Sequence, residues 1–184
     1  MIKIKENGNM IIYGEKIKLR AVESEDNVML LEMMNDPDIE MMVCGYSWPV
    51  SMNGQMKWFS KLENNSDILR CIIADKENDK AIGTLIFNEI DMKNGTGHIH
   101  IKIADRNERG KGYGTDAINT IVKYVFSELR LNCVFANILA YNKPSVHLFE
   151  KCGFTCDGVL RSRVFKQGKY IDLLSYSKLS SDCL

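Results

Sequence analysis

Residues 106–115 of the chain read RNERGKGYGT, a loop in which three glycines alternate with other residues and three cations stand beside them. The glycines are Gly110, Gly112 and Gly114, and the cations are Arg106, Arg109 and Lys111. Glycine accepts a positive φ angle and lets a ligand approach the main chain with no Cβ in the way. A positively charged loop that exposes its N–H groups is suited to binding a large anion such as a phosphate.

The loop lies between a predicted strand and a predicted helix. The strand is HIHIKIA (98–104), and the helix carries apolar residues at helical spacing from Ala117 to Leu129. The first N–H groups of a helix have no intrahelical partner, and the helix dipole adds partial positive charge there. Both features predict that the loop binds a phosphate group.

Two other nucleotide-binding motifs fit the loop less well. A P-loop requires G-x-x-x-x-G-K-[ST], which the chain lacks. The dinucleotide fingerprint G-x-G-x-x-G is matched only loosely, with Ala117 in place of a glycine. No acidic residue ends a second strand about 20 residues later, where it would hold a ribose. The surrounding strands are also predicted to be antiparallel rather than doubly wound.

The elements around the loop predict an α/β (α+β) fold. Apolar stretches between turn signals predict strands at 16–22, 68–75, 81–91, 98–104 and 133–141, and a hairpin turning at KQGK (166–169). Helices are predicted from Ser24 to a stop at Pro37, at 51–63 with Ser51 as the cap, after the glycine loop, and at 143–152. The mixed central sheet is expected to be mostly antiparallel and flanked by helices. One helical crossover predicts a single parallel strand pair.

Composition predicts one soluble domain over 1–184. Of the 184 residues, 24 are basic and 24 are acidic, so the net charge is zero, which argues against nucleic-acid or membrane-surface binding. No leader or membrane span is recognised, so a cytoplasmic location is expected. The six cysteines include no C-x-x-C pair or metal-site spacing, so free thiols and no metal are expected.

Two segments in order resemble the GNAT superfamily of N-acetyltransferases. The first is the Arg-x-x-Gly-x-Gly loop after a strand, and the second is NKPSVHLFEKCGF (142–154). The likeness extends from about Tyr13 to Leu179, which leaves 1–12 as an N-terminal extension, and it is strongest to the ribosomal-protein and polyamine acetyltransferase branch. The resemblance implies acetyl-CoA as cosubstrate, with the parallel strand pair splayed around it.

The resemblance also implies which residues hold the cofactor. Main-chain N–H groups of the loop would bind the diphosphate: Arg109, Gly110, Lys111, Gly112, Tyr113 and Gly114, with Thr115 in the first helical turn. Ile101 and Ile103 would present their main chain to the pantetheine arm and the thioester carbonyl. An N–H there stabilises the negative charge that develops during attack. Asn142 would hydrogen-bond the pantetheine arm.

Direct attack of an amine on the thioester requires that one proton leave the amine and another reach the CoA thiolate. Many members of the superfamily donate the second proton from a tyrosine just before the Glu-Lys pair, but here that residue is Phe149, which cannot donate. The resemblance makes Ser145 the candidate acid, with Tyr141 in reserve.

The general base stays open at this point. The glutamate that the superfamily often carries in strand 98–104 falls at Ile99, which cannot accept a proton. His98, His100, Glu89 on the neighbouring strand, and a water chain are the alternatives.

The acceptor side is the methionine-rich segment 29–51, where Tyr46 and Trp48 could flank a substrate and Asp36, Asp38 and Glu40 could attract a cationic amine. The resemblance implies a protein N-terminal amine, a polyamine or another small amine as acceptor. The alternative is a CoA-binding sensor or regulatory module that has lost catalysis. Dimers are common among similar enzymes, so a homodimer is compatible with the resemblance.

Overall fold

The computed structural model describes residues 2–4, 10–45, 48–62 and 68–183, with the main chain alone for residues 2–4. The strands are β1 Ile2–Ile4, β2 Met10–Tyr13, β3 Ile17–Arg20, β4 Leu69–Asp75, β5 Ala81–Asp91, β6 Thr96–Ile103, β7 Cys133–Leu139, β8 Thr155–Lys166 and β9 Lys169–Leu179. The helices are α1 Asn27–Asn35, α2 Pro37–Met41, α3 Met52–Phe59, α4 Tyr113–Ser127 and α5 Lys143–Lys151.

The strands form one mixed sheet in the order β1-β2-β3-β4-β5-β6-β7-β9-β8. All neighbouring pairs are antiparallel except β6 and β7, which are parallel and are linked through α4. A parallel pair needs such a crossover because a tight turn can join only antiparallel strands. The predicted fold class, with its single parallel pair, is confirmed.

Strands β6 and β7 pair over only a short length. Their register matches Thr96 to His98 with Cys133 to Phe135, and no pair follows. On its other edge β6 stays paired with β5 as far as Ile103, and β7 stays paired with β9 as far as Leu139. The two strands therefore separate after His98 while each remains supported from outside.

Each face of the sheet has its own apolar cluster. On one face, α4 buries a stripe against residues from β3, β5, β6 and β7, and this stripe includes Ala117, Ile118, Ile121, Val122 and Val125. On the other face, Leu30 of α1 packs with Ile72 and Ala74 of β4, next to Trp58 of α3. None of the helices in the described parts of the chain is both long and apolar enough to cross a membrane.

The region before β4 differs from the sequence prediction in three places. Helix α1 ends at Asn35, and Pro37 begins α2 instead of only stopping a helix, because proline fits the first helical position. Ser51 caps α3 as predicted, accepting from Gly54 N at 3.2 Å, but α3 ends at Phe59, and the last residue predicted for it lies outside the described residues. Residues 10–12, for which no element was predicted, form part of strand β2.

The β5–β6 pairing that supports the site depends on a glycine at position 83. A Cβ added to Gly83 would lie 2.0 Å from the main-chain oxygen of Lys102. We expect Gly83→Ala to lower the free energy of unfolding by about 2–3 kcal/mol in a denaturant titration, because main-chain atoms must move to admit the methyl group. Gly158→Ala is the matched control, since a Cβ there meets nothing within 4 Å. Equal stability of the two variants would contradict this packing.

Candidate cofactor site and active site

The glycine loop is built from a short turn and two left-handed glycines. Asp105 begins the turn by accepting from Asn107 N at 2.8 Å, and a 3-10 turn follows over Arg106–Glu108. Gly110 and Gly112 then have φ angles of +78° and +92°, which residues with a Cβ rarely adopt. Gly112 is also the N-cap of α4. Gly110 and Gly112 therefore both act in the loop through the left-handed main-chain conformation that glycine allows.

Main-chain N–H groups are left without a protein acceptor at this loop. Within the described ranges, none of the N–H groups of 110–115 donates to another protein atom, and the first bond of α4 runs from Asp116 N to Gly112 O at 3.0 Å. No side chain caps the helix. The loop therefore presents a group of donors at the positive end of a 15-residue helix, an arrangement that binds anions.

A carboxylate that the sequence analysis did not single out holds the start of α4 in place. Asp116 accepts from the main-chain N–H groups of Glu15, Lys16 and Ile17 at 3.1, 2.7 and 3.0 Å. These bonds fasten the β2–β3 turn to the first turn of α4. An acid in the first turn of a helix was visible in the sequence, but its partners are about 100 positions away.

The cations of the loop are held by the protein. Lys111 donates to the Glu108 carboxylate at 2.8 Å, and Lys80 donates to it at 2.6 Å. These hydrogen bonds lower the pKa of Glu108, and the bond from Lys111 has the larger effect. Arg109 donates to the main-chain oxygen of Ile103 at 3.3 Å. The positive charge predicted for the loop therefore lies beside it, and hydrogen bonds within the protein hold the charged side chains in place.

The inner edge of β6 faces the gap between the separated strands. Ala104 N donates to Ile82 O at 2.9 Å, and the register runs without a shift from there to His98 opposite Asn88. Hydrogen-bonded and non-hydrogen-bonded pairs alternate in an antiparallel ladder. The main-chain groups of Ile101 and Ile103 therefore point away from β5, into the gap.

Helix α5 lies next to the loop and the gap. A Cβ on Gly114 would meet Leu148 of α5 at 3.3 Å and Ile101 of β6 at 3.9 Å. Glycine at this position thus allows α4, α5 and β6 to approach one another closely. The structure brings together the loop, the inner edge of β6 and α5.

The side chains predicted on and before α5 have different surroundings. Asn142 caps α5 by accepting from Ser145 N at 3.1 Å, and its Nδ2 donates to Met42 O at 2.9 Å. The Tyr141 hydroxyl donates to Met41 O, and burial, followed by the charge of Glu40, raises the pKa of Tyr141. In the described structure the half-buried Ser145 hydroxyl has no side-chain hydrogen bond.

Phe149 is a core residue. Its side chain is only 3% exposed, and its ring packs edge-on against Phe154 with the ring centroids 5.0 Å apart. Ile99, where a glutamate was expected from the resemblance, is also buried, on the α4 side of the sheet. Neither position carries a group that can transfer a proton.

A β-bulge directs Glu89 toward the histidines of β6. His98 lies opposite Asn88, and regular alternation would place Glu89 on the opposite face from both. The register shifts after Asn88, and Glu89 has a φ angle of +51°. Bulges re-aim side chains in this way. As a result, Glu89 Oε1 lies 3.0 Å from His98 Nδ1.

The two histidines form a cluster held by hydrogen bonds to Glu89 and Asn88. A carboxylate accepts hydrogen bonds, so Nδ1 of His98 carries a proton that it donates to Glu89, and its Nε2 is buried and has no partner within the described structure. His98 also stacks on Phe135, with the ring centroids 4.6 Å apart. His100 Nε2 donates to Asn88 Oδ1 at 3.0 Å.

The pKa of His100 is lowered to about 4, although its side chain is partly exposed. The main cause is that neighbouring protein atoms remove much of its hydration, and His98 is the next cause. The cationic form is therefore disfavoured, and His100 is neutral at pH 7.

The acids of the acceptor segment are engaged within the protein. Asp36 accepts from the N–H groups of Asp38 and Ile39 as the cap of α2, and Asp38 pairs with Arg106. Glu40 pairs with the buried Lys166 of β8. The expectation that these three carboxylates attract a cationic amine therefore needs correction for Asp38 and Glu40, whose charges are matched by Arg106 and Lys166.

Lys166 fixes the segment that follows α2. Its Nζ donates to Glu40 O at 3.0 Å and to Gly45 O at 2.6 Å, in addition to the Glu40 carboxylate. Together with the bonds from Tyr141 and Asn142, this holds residues 40–45 against the β7–α5 connection. No sequence pattern indicated this buried lysine.

A recess of about 240 Å³ opens beside this segment. It is lined by Met34, Asn35, Asp36, Pro37, Glu40, Trp48 and Pro49. Apolar and aromatic surface thus lies next to two carboxylates. Tyr46, the other aromatic residue predicted here, lies outside the described residues.

Comparisons with known proteins agree with this arrangement. Residues 16–155 match the acetyltransferase (GNAT) domain family. An uncharacterized N-acetyltransferase, p20, of Bacillus licheniformis is 30% identical over 173 residues, which cover 93% of this chain and 97% of that protein. The spermidine N(1)-acetyltransferase of Vibrio cholerae is 25% identical over 160 residues, covering 87% and 91% of the two chains.

The fold is also shared with a solved structure. The crystal structure of spermidine N-acetyltransferase from Vibrio cholerae in complex with CoA and spermine superposes with a TM-score of 0.81 at 26% identity. The superposition covers 91% of this chain and 97% of that one. The chain therefore belongs to the GNAT family of acetyltransferases and is an N-acetyltransferase.

Proposed function

We propose that this enzyme transfers the acetyl group of acetyl-CoA to a primary amine of a small polyamine by direct attack on the thioester. The observation that carries the proposal is the row of unpartnered main-chain groups that leads from the glycine loop to the inner edge of β6. This row suits a ligand with a diphosphate at one end and an amide-bearing arm at the other. The likeness to the Vibrio cholerae enzyme, whose structure contains CoA and spermine, supports the proposal.

The diphosphate would bind to the N–H groups of 110–115. The main-chain N–H of Arg109 donates to Arg106 O in the preceding turn. Arg109 therefore contributes its side-chain charge and not a main-chain donor. Lys16 adds a further cation, since its Nζ lies 3.2 Å from Lys111 O at the same loop. Helix dipole, free donors and local cations then act on the same anion.

The pantetheine arm would extend along the gap between β6 and β7. Ile101 offers both its main-chain N–H and its carbonyl along that edge, as another strand would require, and Ile103 offers its N–H, since its carbonyl accepts from Arg109. The Ile101 N–H would donate to the thioester oxygen and stabilise the charge it gains during attack. Asn142 is assigned a positioning role, because both polar atoms of its side chain already hold α5 and Met42.

The reaction forms a bond between the amine nitrogen and the carbonyl carbon and breaks the bond between that carbon and sulfur. The leaving thiolate needs a proton. Ser145 is the better placed donor, because its hydroxyl has no competing side-chain bond in the described structure, whereas the Tyr141 hydroxyl is bound to Met41 O. Solvent would restore the serine proton.

The amine must lose a proton to attack. We assign this proton to His98 Nε2 by way of a water molecule, since that nitrogen has no partner in the described structure and Glu89 stabilises the imidazolium that forms. Glu89 would act on His98 as a carboxylate that orients a histidine base. His98 lies where β6 and β7 begin to separate, so it borders the gap.

A polyamine is the acceptor class that best suits the recess near α2. Its alkyl segments match Met34 and Pro37, and its ammonium groups match Asp36 and the ring of Trp48. A protein N-terminus would need space for a folded or extended peptide beside the same short segment.

A thiol-release assay with acetyl-CoA across a set of amines tests the function. We expect kcat/KM to be highest for spermidine and spermine, and at least about tenfold lower for an amino sugar or a peptide with a free N-terminus, because the charge-bearing recess discriminates by about 1.4 kcal/mol or more. A preference for the peptide would contradict the acceptor class. Tight CoA binding without turnover of any amine would instead identify a CoA-binding sensor.

Gly112→Ala tests the diphosphate site. The φ angle of +92° disfavours a residue with a Cβ, so the loop should shift its N–H groups and raise the KM for acetyl-CoA about tenfold. Gly168→Ala in the β8–β9 turn is the matched control, because its φ angle is +76° and a Cβ there meets nothing within 4 Å. Similar KM values for the two variants would argue against binding at the loop.

Ser145→Ala tests the proton donor. We expect kcat to fall by about 100-fold with little change in the Kd of CoA, because a general acid acts on the chemical step. Tyr141→Phe should change kcat less and raise the KM of the amine, since it releases the carbonyl of Met41. An unchanged kcat in Ser145→Ala would remove this serine from the mechanism.

A further inference from the structure

We infer that Arg70 and Lys102 form a binding site for a small divalent oxyanion on the sheet face opposite α4. Arg70 of β4 lies opposite Ile86 of β5 in the strand register. Lys102 of β6 lies opposite Thr84, which in turn lies opposite Ile72 of β4. Residues directly opposite each other, or two positions apart on a strand, share a face. Both cations are therefore on the face where Ile72 packs with α1.

Neither cation has an acidic partner in the described parts of the chain. Both residues are half-buried. The ion pairs found in those parts involve other cations. Glu89, which the bulge brings to this face, bonds to His98. A positive charge that is partly removed from water loses hydration, and a bound anion compensates for that loss. The two cations are therefore suited to an anion taken from solution.

The two positive charges are close enough to act on each other. Burial lowers the pKa of Lys102, and the charge of Arg70 lowers it further. Burial also lowers the pKa of Arg70. Only β5 separates their strands, so the main chains lie about 10 Å apart, and both side chains are long enough to meet above β5. One anion can therefore contact both cations and relieve their repulsion.

Two neighbours shape the space between the cations. The guanidinium carbon of Arg70 lies 5.3 Å from the centre of the Trp58 ring, and this contact holds the guanidinium in place. Thr84 is a buried residue on β5, between the two cations, and its hydroxyl forms no side-chain hydrogen bond in the described structure. This hydroxyl can donate to the same ion. The fork of N–H groups on an arginine suits an oxyanion, and two cations favour an ion with two negative charges.

The ion would also affect acetyl transfer, and this consequence, unlike the binding itself, rests on the proposed function. Lys102 and His98, the proposed base, lie on the same face of β6. A polyammonium acceptor that approaches His98 is repelled by the two uncompensated cations, and a bound dianion cancels this repulsion. At constant ionic strength, sulfate should therefore lower the KM of spermidine about threefold, and Lys102→Gln should remove most of this effect.

The fluorescence of Trp58 tests the binding without any need for turnover. The chain has two tryptophans, so Trp48→Phe leaves Trp58 as the only reporter. We expect sodium sulfate or phosphate, added at constant ionic strength, to change the emission saturably, and acetate to bind at least about tenfold more weakly. Lys102→Gln should weaken sulfate binding at least about tenfold while it leaves Arg70 beside the ring. Lys123→Gln is the matched control, because Lys123 is exposed on α4.

Two results would overturn the inference. One is an emission that does not change saturably with sulfate. The other is an unchanged sulfate affinity in both Lys102→Gln and Arg70→Gln, which would assign the ion to another site. Arg70→Lys keeps the charge and should retain more affinity than Arg70→Gln, and circular dichroism verifies that each variant folds. Emission reports the anion site and thiol release reports acetyl transfer, so a failure of one leaves the other testable.

Discussion

The separation of β6 from β7 is the constraint on which the rest of the structure depends. The two strands share three residue pairs and then part, while β5 and β9 continue to support them from outside. Main-chain groups along the inner edges consequently lack a strand partner, and an unpartnered polar group that is removed from water costs about 1–3 kcal/mol. The fold tolerates this opening because the outer pairings are continuous. It thereby leaves a strand-shaped space between β6 and β7.

The contacts around the gap fix its borders from segments that are distant in sequence. Asp116 joins the β2–β3 turn to the first turn of α4, where the free N–H groups begin. On the β7 side of the gap, Lys166, Tyr141 and Asn142 hold residues 40–45 against the β7–α5 connection. The glycine loop and residues 40–45 are therefore positioned by separate sets of bonds.

The sequence predicted the parts whose cause is local. The alternating glycines, the apolar stripe of α4 and the cap at Ser51 all follow from neighbouring residues, and the structure has them at the predicted places. Pro37 was predicted to end a helix, but it also suits the first position of the next one, and periodicity does not distinguish these roles. The orientation of Glu89 depends on a bulge, and the roles of Asp116 and Lys166 depend on partners about 100 or more positions away. Such contacts leave no short-range pattern.

The binding of a diphosphate by the main chain of the loop is the central claim, and hydrogen exchange measures it most directly. Peptides that contain residues 110–115 should exchange freely without ligand, because their N–H groups have no acceptor in the described structure. Saturating CoA should slow the exchange of these amides and of Ile101 and Ile103, while the β8–β9 turn stays unchanged. Slower exchange elsewhere, with no protection at 110–115 when CoA is bound, would contradict the account.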